Sequence, residues 1–249
     1  MHRLFDNIKH IKKINCGVLL DSCFFFDTFK KNNYKKLVRY CLFGLMTMCA
    51  INIVSNMMQI NLMNDYFVEN IYSEASFDIL AERNDSRVSI VGALFAVFIF
   101  SSFFLVGRWL YVSAKINYLL EREHLKITPG WSVGWYFVPF ANLVMPYRSL
   151  KETFKASFDR DDWQNQKTTI DFPFWWATFL IGNGFSNVSF RMVMAAGETY
   201  EYTILNTISY IDITSDILQI INAVFLLRII NAVFTNHKKV NFDLTVNKP

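Results

Sequence analysis

The chain has 249 residues, of which 53% are hydrophobic, 17% aromatic and 18% charged, and its formal net charge is +4. Its mean hydropathy of +0.21 is high for a soluble domain, so the composition indicates a membrane protein. The lysines and arginines are spread around apolar segments instead of forming one basic, aromatic-rich domain, which argues against a nucleic-acid-binding protein.

The chain begins with a basic arm over residues 1–37. Residues 1–39 contain nine lysines and arginines against three aspartates, an excess typical of cytoplasmic flanks. Leu4, Ile8 and Ile11 recur at helical spacing with lysines among them, so the arm is expected to contain an amphipathic helix. Asp21 and Asp27 interrupt the apolar run at 17–29. Because a small-residue cleavage site is also missing, we do not predict a secretory signal.

Four segments are long and apolar enough to cross about 30 Å of hydrocarbon, which takes roughly 20 helical residues. These spans are predicted at about 38–63, 88–112, 173–191 and 208–234. The third is the weakest, because two glycines and two asparagines interrupt it. The sequence thus predicts an all-α, polytopic membrane helical bundle over residues 38–238, with a tail at 239–249.

The charges around the spans predict how the chain is threaded. The loop at 64–87 has six acidic residues against two basic ones and is predicted to lie outside, whereas the lysine-rich tail is predicted to be cytoplasmic. Both termini are then predicted to lie on the cytoplasmic side of the membrane. This arrangement requires an even number of crossings, so four spans fit the charges and five do not.

A proline-broken apolar stretch follows the second span, and its sequence over 127–157 is ITPGWSVGWYFVPFANLVMPYRSLKETFKAS. Its apolar run of about 15 residues would reach roughly 22 Å as a helix, which is short of a full crossing. Pro139 and Pro146 interrupt the run further. We predict a re-entrant or half-membrane segment over 129–146, here called the GW segment, with a fifth span as the alternative. A basic amphipathic surface helix is predicted at 147–158.

The motifs of soluble enzymes are missing from the sequence. The four cysteines show no CxxC spacing and the four histidines are scattered singly, so we predict no disulfide framework, metal site or cofactor. Walker, GxSxG and HExxH motifs do not occur. We therefore expect no catalytic residues, and an enzyme is the minority hypothesis.

Polar residues inside spans are the first functional candidates, because burying them is unfavourable unless they are partnered. Three pairs at i,i+4 spacing each lie on one helix face. Together with one arginine they form the candidate polar pocket: Asn52, Asn56, Asn183, Asn187, Asp212, Asp216 and Arg191. The alternatives are asparagines that only join helices and aspartates that lie at the outer headgroups.

Basic and indole side chains predicted near the cytoplasmic side form a second set, because such groups favour the headgroup boundary. This candidate lipid or docking surface consists of Arg108, Trp131, Trp135, Arg148, Lys151 and Arg228. Its two span-end arginines have a structural alternative, in which they reach lipid phosphates or cap backbone carbonyls of the GW segment.

Four stretches carry a family resemblance: RWLYVSAKIN at 108–117, PGWSVGWYFVPFANLVMPYRSLKE at 129–152, WWATFLIGN at 175–183 and LLRIINAVFTN at 226–236. They resemble the bacterial membrane family catalogued as domain of unknown function 4328, over roughly residues 38–238. The resemblance implies a multi-pass bacterial inner-membrane protein. It supplies no catalytic residues.

The sequence favours a non-catalytic membrane scaffold or accessory subunit, whose docking surface is the GW segment and the basic helix after it. The expected partners are the lipid bilayer and another protein or a second copy of the chain. A transporter or channel for protons or a small cation, using the intramembrane Asp and Asn residues, is one alternative. Binding of an anionic lipid is the other.

Overall fold

The computed structural model describes residues 33–120, 122, 124–158, 163–196 and 202–246, and the side chains within these ranges except those of 33, 196 and 240–246. The amphipathic helix predicted within the N-terminal arm lies outside the described residues. Across the described ranges the chain is helical or in turns, with no strand. The prediction of an all-α protein is confirmed.

Over the described ranges, six α-helices and three short 3₁₀ turns follow one another in chain order. The helices are α1 (Asn33–Phe67), α2 (Glu74–Leu119), α3 (Pro129–Gly134), α4 (Met145–Ala156), α5 (Asp171–Ala196) and α6 (Tyr202–Val246). The 3₁₀ turns are Trp135–Phe137, Ala141–Leu143 and Trp163–Asn165.

Among the residues that the structure describes, three helices are long and apolar enough to cross a membrane: Tyr34–Phe67, Glu74–Leu119 and Tyr202–Lys239. They correspond to the first, second and fourth predicted spans. Helix α5, with 26 residues, is about 39 Å long, so its length also suffices. Its composition keeps it out of this group of three, because glycines and asparagines dilute its apolar residues.

Helix α2 starts earlier than the charge pattern predicted. Residues 74–87 were expected in an outer loop, yet they form the first turns of α2. No glycine or proline lies between residues 73 and 91 to interrupt the helix. Ser73 precedes the helix: its carbonyl oxygen accepts the Phe77 N–H at 2.9 Å, and its Oγ lies 2.6 Å from Ser76 Oγ.

The described residues fall into two compact units. The bundle unit comprises Arg39–Leu105 and Ile170–Arg228. The GW unit comprises the described residues of Val106–Thr169 together with residues 33–38 and 229–246.

Helices α1 and α2 run antiparallel within the bundle unit. Cys41 Sγ lies 3.4 Å from Ser102 Oγ, and Arg87 donates to the Ser55 carbonyl oxygen at 2.9 Å. Later residues of α1 therefore contact earlier residues of α2. Between these contacts the helices approach closely at Gly44. A Cβ built there would overlap the Phe98 ring, so glycine at position 44 allows this close approach.

Helix α6 runs antiparallel to both α1 and α5. Its contacts with α1 pair Asn52 with Asp216 and Gln59 with Ser209. Later residues of α5 likewise contact earlier residues of α6: Asp171 contacts Arg228, Trp175 contacts Asn222, and Gly182 contacts Ser215. The four helices therefore alternate in direction, and residues 39, 105, 170 and 228 lie at one end of the bundle unit.

The GW segment is broken into short helical pieces. Pro129 begins α3, and the chain then turns at Phe140, whose φ of 62° is left-handed. Ser132 Oγ donates to the Pro129 carbonyl oxygen at 2.6 Å, and Ser149 Oγ donates to the Ser132 carbonyl oxygen at 3.2 Å. Side-chain hydroxyls thus satisfy part of the backbone that an interrupted helix leaves unpaired.

Buried amides join the longer helices of the GW unit to α4. Asn117 of α2 donates to the Thr153 carbonyl oxygen at 2.9 Å, and its Oδ1 lies 2.8 Å from His237 Nε2 of α6. Asn236 donates to Ser157 Oγ at 2.9 Å. These contacts tie α2, α4 and α6 together inside the unit.

The apolar face of α4 is turned toward the protein interior. We expected this face to lie on a membrane surface, but Leu150 and Phe154 are almost completely buried. Their burial within the GW unit already removes them from water, so no lipid is needed to cover them. Arg148 on the opposite side is exposed, and the basic side of α4 is the part available to a partner.

A half-buried carboxylate anchors the loop before α3. The Glu152 carboxylate accepts the backbone N–H of Ile127 at 2.9 Å and of Lys126 at 3.2 Å. Burial raises the pKa of this carboxyl, although the two N–H groups act in the opposite direction.

Candidate functional site: a polar ladder in the bundle unit

A buried carboxylate is held between α1 and α6. Asn52 Nδ2 donates to Asp216 Oδ2 at 2.8 Å, and the Asp216 side chain is only 3% exposed. Asn56, one turn further along α1, is also buried and donates to the Asn52 carbonyl oxygen at 3.1 Å. Asn52 therefore contacts this aspartate directly, and Asn56 lies one turn away on the same helix.

Further polar contacts repeat along the same pair of helices. Gln59 Nε2 donates to Ser209 Oγ at 3.2 Å, seven residues from the Asn52–Asp216 contact in each helix. Tyr202 OH donates to Asn64 Oδ1 at 2.7 Å still further along. Seven residues are about 10.5 Å of helix, so the contacts form a row on one face of α1 and α6.

We call this row the polar ladder and define it by its members, which are Asn52, Asn56, Gln59 and Asn64 of α1 with Tyr202, Ser209 and Asp216 of α6. Asn52 and Gln59 of α1 are seven residues apart, as are successive members on α6, and this spacing keeps them on facing sides of two antiparallel helices.

Helix α2 adds a cation to the ladder. Asn84 Nδ2 lies 3.4 Å from Gln59 Oε1, and Arg87 donates both to the Asn84 amide oxygen and to the Ser55 carbonyl oxygen. The cation beside the ladder is therefore Arg87, and not the predicted Arg191.

An acidic cavity of about 710 Å³ lies between the end of α1 and the start of α2. Asp78, Glu82 and Asp85 line it at positions that share one face of α2, and Met63 of α1 lies opposite. Asp85 also connects the cavity to the ladder, because its Oδ1 lies 3.5 Å from Asn84 Nδ2. A cleft lined by acidic side chains raises the local concentration of cations.

Helix α5 faces α6 with small residues. Ser186 Oγ lies 2.6 Å from Ser215 Oγ, and Ser215 Oγ donates to the Gly182 carbonyl oxygen at 3.1 Å. The Ser189 hydroxyl donates a hydrogen bond to the Asp212 carboxylate. Gly182, Ser186 and Ser189 occupy one helix face.

The remaining members of the predicted pocket lie on another face of α5. Asn183 donates to its own helix at the Phe179 carbonyl oxygen, and Asn187 accepts from Arg191 Nε at 2.9 Å. Asn183, Asn187 and Arg191 are exposed. Each asparagine follows a contact residue by one position, which rotates it about 100° away from α6. The structure therefore joins Asn52, Asn56 and Asp216 but leaves these three residues apart.

The candidate docking residues are divided between the two units. Arg228 belongs to the bundle unit, where its Nη1 lies 3.2 Å from Asp171 Oδ1. The other five belong to the GW unit. There the Trp131 and Trp135 rings lie 4.6 Å apart, Lys151 lies over the Tyr147 ring, and Arg108 lies over the Tyr34 ring.

Sequence reasoning missed Gln59, Ser209, Asn84 and Arg87. Gln59 and Ser209 could have been found, because each lies seven residues from a predicted member of the pocket on the same helix. Asn84 and Arg87 were assigned to a loop, so their side chains were not expected to face α1.

Comparison with known proteins places the chain in a family without an assigned activity. Searches of curated proteins and of solved structures found no match. The family match begins at the start of α2, so α1 and its side of the ladder precede it. The chain belongs to the family described as Domain of unknown function (DUF4328), which matches residues 74–235.

Proposed function

We propose that this protein carries protons or a small monovalent cation across a bacterial inner membrane, with Asp216 as the binding carboxylate. The observation that carries the proposal is the burial of Asp216 against Asn52 in helices apolar enough to span a bilayer. Ionisable groups in such positions commonly mark ion pathways and proton relays.

The neighbour of Asp216 explains why a cation would bind there. Asn52 is a neutral amide, so its hydrogen bond orients the carboxylate without cancelling its charge. A charged carboxylate in an apolar environment is unfavourable unless a cation or proton neutralises it. Binding followed by release at this side chain is the elementary step of the proposed transport.

The acidic cavity gives the cation a route to the ladder. Asp78, Glu82 and Asp85 attract cations into the cavity, and Asp85 adjoins the Asn84–Gln59 contact. From Gln59 the polar side chains of α1 continue at Asn56 and Asn52. Amide oxygens along this path supply the neutral ligands that a partly dehydrated cation requires.

The direction of the helices supports four crossings with both termini cytoplasmic. Alternating directions in α1, α2, α5 and α6 return the chain to its starting side, as an even number of spans requires. Residues 105 and 170 lie at the same end of the bundle unit, which supports a GW segment that re-enters instead of crossing.

The direct test of the function is ion flux into liposomes containing the purified protein. We expect flux above protein-free liposomes for protons, Na⁺ or K⁺ under an imposed gradient, recorded with a fluorescent indicator for each ion. No flux for any of the three would contradict the proposal and would favour the non-catalytic scaffold or accessory subunit.

A further inference from the structure

The turn within the GW segment presents large apolar side chains to its surroundings. The Phe137 ring is 82% exposed and the Phe140 ring is 88% exposed, and Leu143 and Val144 are about half exposed. We call residues 137–144 the aromatic tip. Its rings are more exposed than Phe100 and Phe104 of the apolar helix α2, whose side chains are 72% and 68% exposed.

The aromatic tip is a defined turn. The Ala141 N–H donates to the Pro139 carbonyl oxygen at 2.7 Å, the Asn142 N–H to Val138 at 2.9 Å, and the Leu143 N–H to Phe140 at 3.2 Å. These bonds fix the backbone from which both rings project.

Phe140 is an unfavourable choice for this turn in water. Its φ of 62° lies in the left-handed region, where glycine or asparagine is ordinarily preferred because a Cβ crowds the carbonyl oxygen. Its ring is also almost fully exposed. The exposure is explained if an apolar environment covers the ring.

Basic side chains follow the aromatic tip directly. Arg148 is exposed on the first turns of α4, and Lys151 lies one turn further along, with its Nζ 5.6 Å from the centre of the Tyr147 ring. Trp131, just before the tip, is half exposed and lies against Trp135. Aromatic side chains beside lysine and arginine are typical of segments at the headgroup boundary of an anionic leaflet.

We propose that the aromatic tip inserts into one leaflet of an anionic bilayer, with Phe137 and Phe140 among the acyl chains and Arg148 at the phosphates. Lipid is the occupant that fits both the apolar rings and the adjacent positive charges. This anchor is independent of ion transport, so its test does not rest on Asp216.

The test places a fluorescent reporter at the tip of the full chain. In a cysteine-free background, Phe140→Cys is labelled with bimane in liposomes containing phosphatidylglycerol, and Lys167→Cys in the same unit is the exposed control. We expect lipids with a nitroxide on the acyl chain to quench bimane roughly twofold more at 140 than at 167. Aqueous iodide should show the opposite order.

Three results would overturn the proposal. The first is equal quenching by the lipid nitroxide at positions 140 and 167. The second is greater iodide quenching at 140 than at 167. The third is a crosslink from Phe140→Cys to a second copy of the chain, with no quenching by the lipid nitroxide at position 140. The charge is tested by Arg148→Gln with Lys151→Gln, which should lower lipid quenching at 140 only when phosphatidylglycerol is present. Unchanged quenching in the double variant would remove the anionic lipid from the proposal.

Discussion

Replacing Asp216 with Asn is expected to reduce ion flux to the level of protein-free liposomes. The substitution keeps the size of the side chain and its contact distance to Asn52, but it removes the charge that attracts a cation or proton. Because the shape is preserved, the variant should fold and elute from size exclusion as the wild type does. The measurement is ion flux in liposomes containing equal amounts of protein.

Asp171→Asn is the matched control for that variant. Asp171 is also buried in the bundle unit, at 6% exposure, but it contacts Arg228 and takes no part in the polar ladder. Its replacement should leave flux at the wild-type level. Equal flux in Asp216→Asn and wild type, or equal loss in both variants, would argue against Asp216 as the binding carboxylate.

Replacing Asn117 with Leu is expected to cause the largest loss of stability. Asn117 contacts both the Thr153 carbonyl oxygen and His237 inside the GW unit. Leucine can make neither contact, and each buried polar group that loses a partner costs about 1–3 kcal/mol. The expected loss is therefore about 2–6 kcal/mol in the free energy of unfolding.

Thermal unfolding in mild detergent measures this loss. The matched control is Gln164→Leu, which changes an exposed side chain of the same unit from amide to leucine. Its midpoint should stay close to that of the wild type, whereas the Asn117→Leu midpoint should fall clearly. Similar midpoints for both variants would show that the amide contacts do not hold α2, α4 and α6 together.

Long apolar runs made the helices predictable, but local charge gave the wrong start for α2. Six acidic residues at 64–87 suggested a loop because acidic segments between spans are commonly solvated. The helix nevertheless extends back to Glu74, since nothing in residues 74–87 interrupts it. The charge pattern indicates whether a segment lies in water or in lipid. Glycine and proline residues determine where the helix ends.

Spacing predicted which residues share a helix face, but it did not predict which neighbouring helix packs against that face. The pairs Asn52–Asn56 and Asn183–Asn187 have the same spacing, yet only the first is turned toward α6. The small residues Gly182 and Ser186 decide the second case, because they let α5 approach α6 and so rotate the asparagines outward. The same ambiguity placed the apolar face of α4 on lipid, although the protein interior covers it.

The polar ladder can act in transport only if its helices cross the bilayer, and we propose that they are two of four crossing helices. Single cysteines at Glu69, Lys167 and Lys238, in a cysteine-free background, are all exposed positions that a membrane-impermeant maleimide can reach. In intact cells and inverted vesicles, we expect 167 and 238 to be labelled from the cytoplasmic side and 69 from the opposite side. Labelling of 167 and 238 from opposite sides would contradict the four-span architecture and the position of Asp216 within it.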